Sequence, residues 1–400
     1  MEDYKEIAAY EGQDITDAWE RILEDPEFLR WWYGTRQKEL PGLPRKMIVG
    51  MLRHAKNPRR MVDRLLVYQL VTRVRKGSIS KLEIKGLENI KGSPLLRPDL
   101  FAEGATMQGQ LFLTNHRDIV LDAALLAYLL DKHKHMRIYV GVGNNLFGKQ
   151  WIEDLMRACG CFAVIRNGSL HDMMHHAEML SGYIAERQSA GRSLWLAQRE
   201  GRAKDGNDFT QPALLKMLSL AGKGSVFEAL KALHITPVSI TYEYDPCDYL
   251  KAREMQLKRD CPDWKKTKRD DMDSMQVGIV EAKGEVIYQI TPCINDELDQ
   301  LEKTASELSR NEQLRLSAEL IDKHIFTGYN LAWTNLAAKE MLEGYQDERF
   351  EAYVQQQIDK IVMPTGVEKD VPFLREKILE LYANPAINQQ KVLRDAQGAV

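Results

Sequence analysis

Between residues 110 and 242 the chain repeats one texture: a short apolar run, a longer stretch of helical pattern, then another apolar run. The runs are Leu111–Thr114, Arg137–Val142, Cys161–Ile165, Ser193–Ala197 and Ile235–Tyr242. Runs this short read as strands. Strands that alternate with helices predict an α/β fold, with a mixed, largely parallel sheet wrapped by helices. Val277–Ile290 reads as a hairpin that turns at Ala282–Gly284.

Both flanks read as helical. Ile15–Leu29 and Arg60–Val74 space apolar residues three and four apart, punctuated by Pro41, Pro44 and Pro58. Residues 81–87 alternate like a strand. From about 296 the pattern is helical again, in Asp296–Ser309, Glu312–Ile325, Leu331–Glu343 and Arg349–Ile361. Pro364 and Gly366 interrupt it before a last helix at Pro372–Tyr382. The chain therefore divides into a helical, basic N-terminal region (1–100), an α/β domain (101–295) and a helical C-terminal region (296–400). At 400 residues, 44% hydrophobic and 28% charged, it can bury a sizeable core.

Charge is unevenly spread. Residues 45–85 hold twelve Lys/Arg against two acids, Asp63 and Glu83, inside a chain whose net charge is -3. A basic stretch mixed with Leu, Val, Met and Tyr suits an anionic bilayer, and equally a helix packed on the core with a solvated basic face. No apolar run approaches the ~20 residues that cross a bilayer, and the acidic N-terminus lacks the pattern of a secretory signal. Five scattered cysteines suggest reduced thiols in a cytoplasmic compartment, without a disulfide framework or a metal site. The expected location is cytoplasmic, peripheral on the inner face of the membrane.

Four segments carry candidate chemistry. The first, Asn115-His116-Arg117-Asp118 through Asp122, follows a strand and opens a helix. A histidine at that junction sits at the carboxyl edge of the sheet, where α/β proteins build sites, and a nearby carboxylate can fix its tautomer. From this segment alone, His116 serves equally well as a structural loop residue with Asp118 as a helix cap. The second runs from Gly141 to Gly148, with Arg166 after the run Cys161–Ile165. Its third glycine falls too late for a dinucleotide loop. Arg166 could bind phosphate or be a solvated loop charge. The third, Glu200-Gly201-Arg202-Ala203-Lys204, sets a glycine beside two cations and could clamp an anion or be a charged turn. The fourth, Ile235–Ile240 with Pro237, reads by itself as a buried strand.

In order and spacing these four blocks resemble the glycerol-3-phosphate and lysophosphatidate acyltransferase superfamily. That family carries NHxxxxD, a Gly-rich block ending in an arginine, EGTRS or EGGRS, and a strand with an early proline. The resemblance covers about residues 108–250 and leans toward the glycerol-3-phosphate branch. It implies a glycerolipid acyltransferase-like α/β fold and acyl transfer to a hydroxyl of glycerol 3-phosphate or a lysophospholipid in phospholipid biosynthesis. The acyl donor is implied to be a thioester of CoA or of acyl carrier protein, with no cofactor or metal. His116 becomes the implied general base and Asp122 its orienting partner, with backbone N–H groups stabilising the oxyanion. Arg166, Arg202 and Lys204, with Gly201, become the implied phosphate site, and Glu200 orients the cations. Two departures stand out. Five residues rather than four separate His116 from Asp122, which leaves Asp118 as an alternative carboxylate. Ala203 stands where the family has serine.

Other readings explain less. His116-Arg117-Asp118 spells a kinase catalytic loop, but Ala123 stands where that motif needs Asn. His171, His175 and His176 lack a metal-protease pattern. A non-enzymatic binder of an anionic surface or nucleic acid could use the 45–85 stretch. No nucleic-acid-binding signature supports it, so no nucleic acid partner is expected.

Overall fold

The computed structural model describes residues 4–33, 50–51, 54, 59, 62–63, 66–90 and 109–398. The three interrupting prolines, most of the basic stretch before residue 66, and the expected boundary near 100 lie outside these residues.

Seven strands form one sheet: β1 (Ile79–Lys85), β2 (Leu111–Thr114), β3 (Ile138–Gly143), β4 (Cys161–Val164), β5 (Ser193–Ala197), β6 (Ile235–Tyr242) and β7 (Gly284–Ile290). Their order is β1-β7-β6-β2-β5-β3-β4. Strands β2 to β6 run parallel to one another where they pair, β7 is antiparallel to β6, and β1 is parallel to β7. The sheet is thus mixed and largely parallel, as the apolar runs predict.

Successive residues of a strand face opposite sides, and both sides are covered. Leu111, Leu113, Leu194, Leu196 and Ile235 pack with Tyr183 and Ile184 of helix Leu170–Ser189 and with Ile321 and Ile325 of helix Arg310–Thr327. Phe112, Trp195, Val238 and Ile240 face the other way, toward Leu125 and Leu129 of helix Leu121–Lys134 and Val71 of helix Val67–Gly77. A third apolar cluster joins Ala252 to the C-terminal helices through Phe350, Ile378 and Tyr382.

Pro237 interrupts neither neighbour of β6. Its carbonyl accepts from Thr291 N at 3.0 Å, so its N–H side faces β7, one residue beyond the last registered pair, Val238 with Ile290. A residue without an N–H loses nothing there.

Several expectations need correction. Ile15–Leu29 is two helices, Gln13–Ile22 and Pro26–Tyr33. Asp25 accepts from the N–H groups of Glu27 and Phe28 and starts the second, with Pro26 at its first position. The helix expected over Arg60–Val74 is described as Val67–Gly77. The strand expected at 81–87 is Ile79–Lys85. The last helix does not stop at Tyr382 but runs over Val371–Gly398, through Pro385. The largest error is the hairpin. Residues Lys268–Val280 form a helix, started by a capping box between Thr267 and Asp270, and only Gly284–Ile290 is a strand.

That helix packs tightly on the 115–122 turn. A Cβ at Gly278 would lie 2.0 Å from Asp118 Oδ2. In an open helix Gly→Ala gains about 1 kcal/mol. Here Gly278→Ala is expected to destabilise by about 1–3 kcal/mol through overpacking. Denaturant unfolding checks this, and a stabilised variant would contradict it.

Candidate active site

β2 ends at Thr114, and the next eight residues coil around one carboxylate. Asn115 first substitutes for a strand residue: its Nδ2 donates to Ile240 O at 2.9 Å and its Oδ1 accepts from Ile240 N at 2.7 Å. This locks the end of β2 to β6. The chain then turns so that the backbone N–H groups of Arg117 and Asp118 both point at Asp122 Oδ2, at 2.6 and 3.0 Å. The same oxygen lies 2.9 Å from His116 Nδ1. Asp122 Oδ1 accepts from Tyr242 OH at 3.0 Å. The carboxylate is fully buried in the first turn of helix Leu121–Lys134, where the helix dipole favours a negative charge.

His116 therefore has one nitrogen committed. Its ring packs edge-on against Trp195, with centroids 6.1 Å apart, and keeps a sliver of solvent exposure. Nε2 makes no hydrogen bond among the described residues. With Asp122 accepting, Nδ1 carries the proton and Nε2 keeps its lone pair.

Asp118 does a different job. Its Oδ1 accepts from the N–H groups of Val120 and Leu121 at 2.8 and 2.7 Å, capping the same helix. Burial, and then the nearby Asp122 charge, raise its pKa above the usual carboxylate range. The five-residue spacing is absorbed by the turn, and the carboxylate against His116 is Asp122.

The segment after β5 forms a closed loop. Gln198 N donates to Thr114 O and Gln211 N donates to Gln198 O, at 2.9 and 3.0 Å. Glu200 N donates to Gln211 Oε1 at 2.8 Å. Gly201, at φ +67°, takes the left-handed corner that a residue with a Cβ resists. The turn sends Arg202 inward. Its guanidinium is buried, and Nη1 has no hydrogen-bond partner among the described residues. Burial opposes its charge, but Cys247, Asp118 and Asp245 raise its pKa above the ordinary guanidinium value. Arg166, after β4, pairs with Glu200 at 3.3 Å and is exposed. Lys204 pairs with Glu254 of helix Asp248–Asp260 at 3.3 Å. Glu254 and Cys247 escaped the sequence reading as site residues because nothing local marks them. His176 is 3.6 Å from Glu6, and no cluster among the described residues could hold a metal ion.

Two loops at the carboxyl ends of adjacent strands thus meet. One presents an imidazole backed by a carboxylate, and the other carries cations. Residues 81–242 match the Acyltransferase family. The matched segment contains every residue of both loops and supports acyl transfer as the general chemistry. A comparison with curated proteins finds no match.

Lys204 gives this loop a titration signature. Burial, then repulsion from Arg202, push its pKa from 10.5 down to about 7, against the pull of Glu254. Between those two pH values the unfolded chain holds a proton that the folded chain releases, so this residue's contribution to stability rises with pH across that window. Lys204→Met is expected to remove that part of the pH slope of the unfolding free energy. Denaturant titrations across the window measure it, and an unchanged slope would contradict the assignment.

Proposed function

We propose that the protein transfers a fatty acyl group from a thioester, of CoA or of acyl carrier protein, to a hydroxyl of a phosphorylated glycerol. The acceptor is glycerol 3-phosphate or its monoacyl form, lysophosphatidate, and the product feeds phospholipid synthesis. The observation that carries this reading is the contact of 2.9 Å between His116 Nδ1 and Asp122, with the other ring nitrogen making no hydrogen bond among the described residues.

In this reading Nε2 of His116 takes the proton of the acceptor hydroxyl. The oxygen attacks the thioester carbonyl, the C–S bond breaks as the tetrahedral intermediate collapses, and the imidazolium returns the proton to the departing thiolate. Asp122 orients the ring and stabilises its protonated form. Backbone N–H donors at the oxyanion are worth roughly 3–4 kcal/mol each. Arg202 offers Nη1, which has no partner among the described residues, to the acceptor phosphate, with Lys204 and Arg166 adding positive charge and Glu200 orienting Arg166. The chemistry needs no metal and no covalent enzyme intermediate.

We place the enzyme at the cytoplasmic face of an anionic membrane, held peripherally by the basic 45–85 stretch. No helix among the described residues is long and apolar enough to cross a bilayer.

The test is a transfer assay that offers both acceptors with both thioesters. His116→Ala is expected to lower kcat by about 10²–10⁴-fold with an unchanged fold. Asp122→Asn should lose most of the activity and Asp118→Asn much less. An active His116→Ala enzyme, or loss confined to Asp118→Asn, would overturn the assignment.

A further inference from the structure

Arg117 follows the proposed base directly in sequence, yet its guanidinium turns inward and is buried. Nη2 lies 2.5 Å from Asp208 Oδ2. Asp208, fully buried, stands in the 198–211 loop that carries Arg202 and Lys204. Its Oδ2 also accepts from Tyr329 OH at 2.9 Å, just beyond helix Arg310–Thr327. This ion pair ties the loop of the base to the loop of the cations.

A buried ion pair is weak evidence of stabilisation, because desolvating both charges costs about as much as their attraction returns. Its value here is geometric. Adjacent strands β2 and β5 are in register only up to Thr114 and Ala197. Beyond that point strand pairing no longer holds the two segments together, and a fork of fixed shape against a carboxylate sets their separation.

The far side of the 198–211 loop is held as well. Asn384 Nδ2 donates to Asp205 O at 2.6 Å, Asn388 Nδ2 donates to Asn207 Oδ1 at 3.2 Å, and Asp322 Oδ1 accepts from Thr210 N at 2.7 Å. Gly206 lies against Leu381 O, where a Cβ would come within 2.3 Å. Pro385, four residues after Leu381, has no N–H to give that carbonyl, so it is free to face the loop.

We infer that Arg117 and Asp208 are positioning residues that fix the distance between His116 and the phosphate-binding cations, with the C-terminal helices as the outer support of the cation loop. The inference rests on the acyl-transfer reading. An acceptor must touch both loops at once, and a misplacement of about 1 Å can cost about 10²-fold in rate. An acceptor without a phosphate touches only one loop and does not depend on their separation.

The experiment compares kcat/KM for the phosphorylated acceptor the enzyme uses with that for the same molecule lacking its phosphate. Asp208→Asn is expected to lower the phosphorylated reaction at least about tenfold more than the other. Tyr329→Phe keeps the ion pair and removes the phenol that touches both of its members, so it should shift the ratio in the same direction by less. It also supplies the test if Asp208→Asn does not fold. Equal losses on the two acceptors, or no loss on either, would overturn the inference alone. A wild-type protein that acylates neither acceptor would overturn the acyl-transfer reading, and the inference with it.

Discussion

Asp122 is fully buried and meets four donors: one imidazole nitrogen, two backbone N–H groups and one phenol. A buried carboxylate without such partners would be costly. With them it becomes the point around which the turn after β2 is wound. The backbone N–H groups of Arg117 and Asp118 converge on Oδ2, and the same arrangement brings His116 Nδ1 to that oxygen. The catalytic geometry and the local fold therefore depend on the same hydrogen bonds. Tyr242 extends the dependence to β6, which Asn115 locks to the end of β2.

Around this centre the molecule spends buried charge freely. Arg117 and Asp208, Lys251 and Asp245, and the fully buried Lys283 all lie behind or beside the site. Lys283 donates to Ser78 Oγ and to the carbonyls of Ile279 and Glu281, closing the end of helix Lys268–Val280. Burial lowers its pKa to about 8. Asp248, bound by Tyr353 and Tyr382, joins helix Asp248–Asp260 to the C-terminal helices, and burial raises its pKa to about 7. A core of apolar side chains alone would be cheaper to assemble. Polar joints of fixed geometry instead define how the helical layers seat on the loops.

The central strands were legible because both faces of the sheet are covered, so β2 and β5 read as short, mostly apolar runs and β6 as a fully buried one with hydroxyl residues between its apolar positions. The junction at Asn115–Asp122 was legible because its chemistry lies within eight residues. What escaped was of two kinds. Local signals competed at Lys268–Val280, where apolar residues at strand spacing concealed a helix announced by Thr267 and Asp270. At Pro385 a proline that usually ends a helix was tolerated because apolar packing holds the half before it, and hydrogen bonds from Asn388 and Gln389 hold the half after it. The second kind is contact at a distance. Nothing near Arg117 in sequence points to Asp208, and nothing near Asp205 points to Asn384, because only the fold brings them together.

The account depends on His116 holding its proton on Nδ1, toward Asp122, with the lone pair of Nε2 facing the acceptor. Nitrogen-15 NMR of histidine-labelled protein reads the tautomer directly. The account predicts that the neutral form of the ring carries its proton on Nδ1, a preference that Asp122→Asn disturbs. A ring protonated at Nε2 in the wild-type protein could not accept the hydroxyl proton and would contradict it.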